Sequence, residues 1–405
     1  MNDMESRLAE LLKAAVENPP DDRVTVTAVR HQRARRQTAA AVGATIAIAV
    51  LGVISAGLIR GLASPPPAAG PALPAGIPRY YAEEALGHGG QYRTVMRATA
   101  TGTVTAAIRC PLPHADSLIA PIAADKYQQF FMVCYAVRGH TLTDARIYQF
   151  RVTSSGKVRS YTPVRGGDLG AVESVHLAVS PDGSQIAVAV IPSTGSVTAV
   201  DLTLARIVVI NTRTGAQAIW RNPPAAPGAI RFSNLDISFA AGGRKLVFLG
   251  TRTCGPTGNR VQCPHWDQQV RALAPASGGG RLSAGRILLR RIGSETNMIA
   301  DAVVSADGST LTIVTQSFQR GSDHGPSTLT VSQILLATRT QQVIYHANGT
   351  RGLRPLVSFN PDYSGRHFLI SLNGWGQSGT PAGGWINHGR LVKLKPFNTS
   401  VYEAW

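Results

Sequence analysis

The sequence predicts an all-β protein, a β-propeller of about six blades (range five to seven) that follows one N-terminal transmembrane helix. Three observations carry this reading. A strand–turn–strand unit recurs at a steady interval from residue 79 onwards, a second outer hairpin recurs between its copies, and Thr38 to Ile59 forms one long stretch without a charged residue. Four strands per period, each unit too small to cover its own faces, is the pattern in which neighbouring blades bury one another.

Residues 1–37 read as a cytoplasmic tail. Leu8, Leu11, Leu12 and Val16 recur at helical spacing and predict a short amphipathic helix, which Pro19 and Pro20 end. Residues 38–60 follow as the membrane helix. At about 1.5 Å rise per residue this length matches a hydrocarbon core of roughly 30 Å, which makes the lipid bilayer the first expected partner. Arg23, Arg30, Arg33, Arg35 and Arg36 precede the segment and only Arg60 follows closely, so the N-terminus is expected inside and the C-terminal part outside the plasma membrane. The run is longer than the apolar region of a secretory signal. Residues 61–78, rich in Pro, Ala and Gly, form a semi-rigid spacer.

The propeller is expected over residues 79–405. Its inner unit is plainest in Val175 to Val188, around Ser180-Pro181-Asp182-Gly183. Copies follow at Leu235–Phe248 (Gly242-Gly243), Ala300–Ile313 (Asp307-Gly308) and Pro355–Ile370, the last read with a two-residue insertion around Asp362; a degenerate copy, Leu118–Val133, turns near Asp125. The outer unit is Arg206 to Trp220 around Thr214-Gly215, with counterparts at Thr101-Gly102, Ser155-Gly156, Ser277-Gly278, Thr340-Gln341 and Asn398-Thr399. Alternation such as Leu235, Ile237, Phe239 against Asp236, Ser238 predicts one face in the layer between blades. Asp-Gly predicts type I′ turns, because glycine adopts positive φ without steric cost; Asp182, Asp307 and Asp362 are therefore read as turn formers. The first blade is built from Tyr80-Tyr81 and strands around Val95 and Val104, and is closed by the last strand of the chain, Leu391 to Tyr402.

Ser-Pro-Asp-Gly-x-x-Ile-Ala-Val at 180–188, followed by Ile-Val-Val-Ile-Asn-x-x-Thr-Gly at 207–215, resembles the WD-repeat-like propellers of bacterial envelopes. The arginine-tipped tail, single anchor, Pro78-Arg79-Tyr80-Tyr81 and Thr99-Ala100-Thr101-Gly102 are similar to single-pass actinobacterial membrane proteins with an extracytoplasmic propeller. This resemblance implies fold and location rather than an activity, since propellers host many functions.

The four cysteines, Cys110, Cys134, Cys254 and Cys263, all follow the anchor, where the compartment is oxidising and disulfides are the default. Cys254 with Cys263 is the favoured pair because the loop between them is short and turn-rich; Cys110 with Cys134 then follows by elimination. Alternatively, Cys134 is a small buried hydrophobe within Phe130–Val133.

No nucleophile elbow, His-Glu-x-x-His, phosphate loop or dinucleotide fingerprint is present, so no catalytic residue, cofactor or metal is assigned. The densest polar and aromatic cluster is His265, Trp266 and Asp267. It is read with Arg286, Arg290 and Arg291 as a possible ligand-contact set, and Arg97 and Arg252 are further basic candidates. The net charge of +17 favours an anionic envelope polymer or an acidic protein as partner, and the location disfavours nucleic acid. These readings point to a non-catalytic binding or sensing module, with no enzyme implied and the oligomeric state open. A hydrolase or lyase with residues lining the central channel is the alternative, and a regulator of a sigma factor is a third.

Overall fold

The computed structural model describes Leu73 and residues 76–404 apart from 87–91, 113–116, 139–140, 194–203, 224–229, 253–265, 295–296, 319–326, 350–355, 373–381, 388–389 and 394–400. The tail helix, the anchor at 38–60, most of the spacer, Cys254, Cys263, His265 and Asn398-Thr399 lie outside these residues. Among the described residues no helix is long and apolar enough to cross a membrane.

The described chain is β throughout, relieved by two short 3-10 turns. In order, the strands are β1 (Tyr80–Leu86), β2 (Tyr92–Ala98), β3 (Val104–Ala107), β4 (Ser117–Ala124), β5 (Gln129–Arg138), β6 (Thr141–Val152), β7 (Val158–Val179), β8 (Gln185–Pro192), β9 (Arg206–Asn211) and β10 (Gln217–Arg221). There follow β11 (Ile230–Ala240), β12 (Lys245–Arg252), β13 (Trp266–Leu273), β14 (Gly279–Arg281), β15 (Arg286–Gly293), β16 (Asn297–Val304), β17 (Thr310–Phe318), β18 (Ser327–Leu335) and β19 (Gln341–Gly349). The chain finishes with β20 (Leu356–Pro361), β21 (Phe368–Leu372), β22 (Ala382–Asn387), β23 (Arg390–Lys393) and β24 (Val401–Ala404).

Four sheets have four strands each, in the orders β24-β1-β2-β3, β11-β12-β13-β15, β16-β17-β18-β19 and β20-β21-β22-β23. A fifth sheet has eight, β14-β10-β9-β8-β7-β6-β5-β4, because β7 is long enough to pair with β6 through its first part and with β8 through its last. The last strand pairs with the first, Glu83 opposite Tyr402. The edge strands β4, β11, β16, β20 and β24, together with the last part of β7, touch in cyclic order: β4 meets β7, β7 meets β11, β11 meets β16, β16 meets β20, β20 meets β24 and β24 meets β4. The described chain is thus a β-propeller, with these strands around its centre.

The expectation of one buried face per inner hairpin is corrected: both faces are buried. On β8, Val188 joins the core of Phe131, Val133 and Ile147, whereas its neighbours Ala187 and Ala189 join that of Ile207, Phe239 and Phe248. A strand covered on both sides by other sheets can be apolar without a break, as Ile186 to Ile191 is.

The Asp-Gly turns are not type I′, whereas the Ala240 turn, with Ala241 (φ 51°) and Gly242 (φ 65°) both left-handed, has the type I′ signs. Gly183 N–H donates to Ser180 C=O (2.8 Å) and Ser180 N–H to Gln185 C=O (2.9 Å), so the bend is a type I turn and only Gly183 is left-handed (φ 70°). Ser305 with Thr310 and Asp362 with His367 close turns of the same length. Asp362 therefore stands where Ser180 and Ser305 stand, and no insertion is needed. Carboxylate and hydroxyl have changed places: Ser180 Oγ donates to Asp182, while Ser364 Oγ donates back to Asp362. Each turn glycine abuts the preceding turn; a Cβ on Gly183 would lie 2.5 Å from Asp125 Oδ2, and one on Gly365 2.9 Å from Ser305 Cα.

One outer unit departs from the repeat. Ser277-Gly278 does not join two strands of one sheet but leads into β14, which pairs parallel with β10 of the neighbouring sheet. Leu282, just beyond, is buried in the core beside Trp220.

Candidate functional site in the channel

A cavity of about 90 Å³ opens among the inner strands, with walls from β4, β7, β11, β16, β20 and the turn after β20. That is space for about three waters at ~30 Å³ each, or for one end of a larger molecule. Ile122, Leu177, Ile237, Phe239, Val303 and Phe359 supply the apolar part of the wall; His176, Ser238, Asp301, Asn360, Asp362 and Tyr363 bring polar groups to it.

The turn register explains this placement. Counting back four residues from the first turn residue of each copy gives Pro121, His176, Asp236, Asp301 and Ser358, and counting back two gives Ala123, Ala178, Ser238, Val303 and Asn360. All five positions two back line the cavity, as do His176 and Asp301 of those four back, and the sequence varies the chemistry on them.

Asp301 is the most perturbed of these groups. It is 5% exposed, and its Oδ1 accepts the N–H of Ala302 at 2.6 Å. Burial pushes its carboxyl up to about 8, with the Ala302 N–H opposing. It is therefore largely protonated at neutral pH and can donate a hydrogen bond or a proton. Ser238 is also 5% exposed, and its Oγ finds no partner among the described residues. A buried hydroxyl left unpaired costs about 1–3 kcal/mol, so a polar occupant of the cavity would recover that energy.

Asp362 is instead committed to its turn. Its carboxylate accepts from Ser364 Oγ (2.7 Å) and from the N–H groups of Ser364, Arg366 and His367. His367 Nδ1 lies 2.9 Å from its Oδ2. Asp307 is likewise held, below the usual carboxylate range, by the Ser305 hydroxyl, the Ser309 N–H and hydroxyl, and the Arg366 guanidinium. The reading of Asp182, Asp307 and Asp362 as turn formers agrees with these bonds.

The residues expected to contact ligand do not converge. Asp267 is taken by Arg290 through two bonds, Nε to Oδ1 at 2.7 Å and Nη2 to Oδ2 at 3.0 Å. Burial alone would raise the Asp267 carboxyl, but Arg290 and the Gln269 amide hold it below its ordinary value. Arg291 donates to Asn297 Oδ1 at 2.8 Å, Arg286 is exposed on β15 opposite Ala272, and Trp266 opens β13. Arg97 is paired with buried Glu83 and donates to Gly102 C=O. Cys110 and Cys134 lie side by side as hydrogen-bonded thiols rather than as the expected disulfide; the neighbouring Cys110 thiol and burial raise the Cys134 thiol. Among the described residues no group of three or more His, Cys, Asp or Glu is arranged to hold a metal ion.

His176, Ser238, Asp301 and Asn360 were not singled out as site residues in the sequence. One signal was available for Asp301: a lone carboxylate inside Ile299-Ala300-Asp301-Ala302-Val303.

No family model and no curated protein matches the sequence. Among solved structures the chain is similar to the periplasmic gluconolactonase of Pseudomonas aeruginosa, with 16% identity and a TM-score of 0.37 over 78% of this chain and 84% of that one. It is also similar to the Swd1 β-propeller domain of Myceliophteria thermophila, with 11% identity and a TM-score of 0.37 over 76% and 81%. A third similar structure is the acylaminoacyl peptidase of Pyrococcus horikoshii, with 10% identity and a TM-score of 0.39 over 69% of this chain and 39% of that one. The expectation that no enzyme is implied is corrected here. Two of these three similar structures are named as enzymes, a gluconolactonase and an acylaminoacyl peptidase. The cavity itself brings a protonated Asp301 and His176 to one wall system.

Proposed function

We propose that this protein is a six-bladed, membrane-anchored extracytoplasmic propeller whose channel carries an acid–base site of hydrolase or lyase type. Support for six blades comes from dividing the eight-stranded sheet at β7 into two, which gives one blade to each of the six inner strands in cyclic contact. The anchor rests on the uncharged run from Thr38 to Ile59 and the arginines before it.

The observation that carries the functional reading is Asp301, a carboxyl that burial keeps protonated near neutral pH on the wall of a cavity. A general acid works best when its pKa lies near the operating pH. In a hydrolytic step Asp301 gives its proton to the leaving oxygen as the carbon–oxygen bond breaks, water supplies the new carbon–oxygen bond, and His176 takes the proton that water releases. Ser238 and Asn360 hold the polar end of the substrate. The small volume suits one reacting group at the end of a larger molecule.

The test uses carbonate-washed membranes from a host expressing the full chain, assayed against a panel of ester, lactone, glycoside and peptide substrates. Turnover that sediments with the membranes and falls at least 100-fold in Asp301→Asn is expected, since general acid catalysis supplies about 10²–10⁴-fold. Turnover unchanged by Asp301→Asn, or no turnover on any member of the panel, contradicts the reading.

A further inference from the structure

Every inner hairpin contains a register shift before its turn, and in β16 it falls between Ile299 and Asp301: Ile299 opposes Thr315, Asp301 opposes Val314, and Ala300 is the extra residue. A bulge of this kind re-aims the side chains that follow it, because a one-residue change of register sends a side chain to the other face of the strand. The bulge is held from outside its own sheet. Gln268, on β13 of the preceding sheet, is wholly buried. Its Nε2 donates to Ile299 C=O at 2.8 Å, and its Oε1 accepts from Ile299 N–H at 2.7 Å. One side-chain amide thus takes both backbone groups of the residue where the shift begins.

Resting on the channel site proposed above, we infer that Gln268 is a positioning residue: by clamping Ile299 it keeps Ala300 in the bulge and so aims Asp301 into the cavity. Remove the amide, and Ile299 must find other partners for its N–H and C=O. The nearest regular solution is the ladder to β17 with Ala300 absorbed into it. That register places Asp301 on the opposite face of β16, away from its present surroundings.

The same clamp recurs at the foot of β11, where the Asn222 amide donates to Ile230 C=O at 2.8 Å and accepts from Ile230 N–H at 3.1 Å. Part of the role of Gln268 is therefore to stabilise the fold, and Asn222 supplies the comparison that separates the two contributions. His176, Asp362 and Tyr363, the other titratable groups on the cavity wall, are unchanged in every variant.

The experiment follows the titration of Asp301 by carboxyl-carbon NMR in the detergent-solubilised full chain, with the resonance assigned by its absence in Asp301→Asn. In Gln268→Met, which keeps the side-chain length and loses the amide, the midpoint is expected to move by at least about one pH unit as Asp301 exchanges the cavity wall for the packed face of Ile299, Ala302 and Val304. In Asn222→Leu it should stay in place while stability drops. Should Gln268→Met fail to fold, Gln268→Asn, too short to reach both atoms, is expected to move the midpoint by at least about half a unit for the same reason. An unshifted midpoint in whichever variant folds overturns the inference. Because titration is read rather than turnover, absence of activity in the wild type removes the active-site reading alone, and lost turnover with an unshifted midpoint removes this inference alone.

Discussion

Ser238 shows how one atom separates the cost of folding from a use in binding. Its Oγ lies buried on the cavity wall without a partner among the described residues, so replacing it with alanine removes an unsatisfied group and opens a void of only one atom. Ser238→Ala is expected to hold or raise thermal stability, by up to about 1 kcal/mol, and to raise KM for any substrate the channel turns over. Calorimetry alongside steady-state kinetics checks both; a clear loss of stability with unchanged KM would show that the hydroxyl serves the fold. Residues of this kind are hard to read in a sequence because nothing in Ile237-Ser238-Phe239 tells a channel wall from an ordinary strand. The paired Asp267 and Arg290 failed in the opposite sense: their local density was visible, but the cross-strand bond that consumes them was not.

Elements were more legible than sites. The inner hairpins and most outer turns fall where the repeat places them, because glycine and the Ser/Asp exchange mark each bend. The exceptions have physical causes. The apparent insertion at Asp362 arose from aligning aspartate with aspartate, whereas the shared feature is a side-chain oxygen that caps the turn, supplied at different positions by Asp182 and Asp362. The parallel strap β14 could not be foreseen, since Ser277-Gly278 has the same turn chemistry as a hairpin. The strap depends on a close backbone approach: Gly279 has φ 114°, and a Cβ there would lie 2.5 Å from Ile219 C=O. Gly279→Val is therefore expected to detach β14 from β10, cost roughly 1–3 kcal/mol, and open residues 274–285 to protease. Limited proteolysis with mass mapping reads this directly, and a cleavage pattern identical to wild type would argue against the strap as a tie between sheets.

At the scale of the whole molecule, a ring of sheets has a centre, and the repeat brings the same position of each copy to it. The sequence made the periodicity plain, but the chemistry of that centre emerges only when residues as distant as His176 and Asn360 share a wall. The price of the arrangement is a carboxyl kept from water at Asp301. Its folded pKa of about 8 lies above the unfolded value of about 3.9, so between those limits the folded chain binds the extra proton and stability falls as pH rises. At about 1.4 kcal/mol per unit this amounts to an effect on the order of 5 kcal/mol. Asp301→Asn cannot titrate and escapes it, while groups such as Asp307 contribute equally to both proteins. The most direct test is the unfolding free energy of the full chain and of Asp301→Asn from pH 4 to pH 8. The account predicts curves that diverge steadily with rising pH, the variant becoming the more stable; curves that run parallel across the range would contradict it.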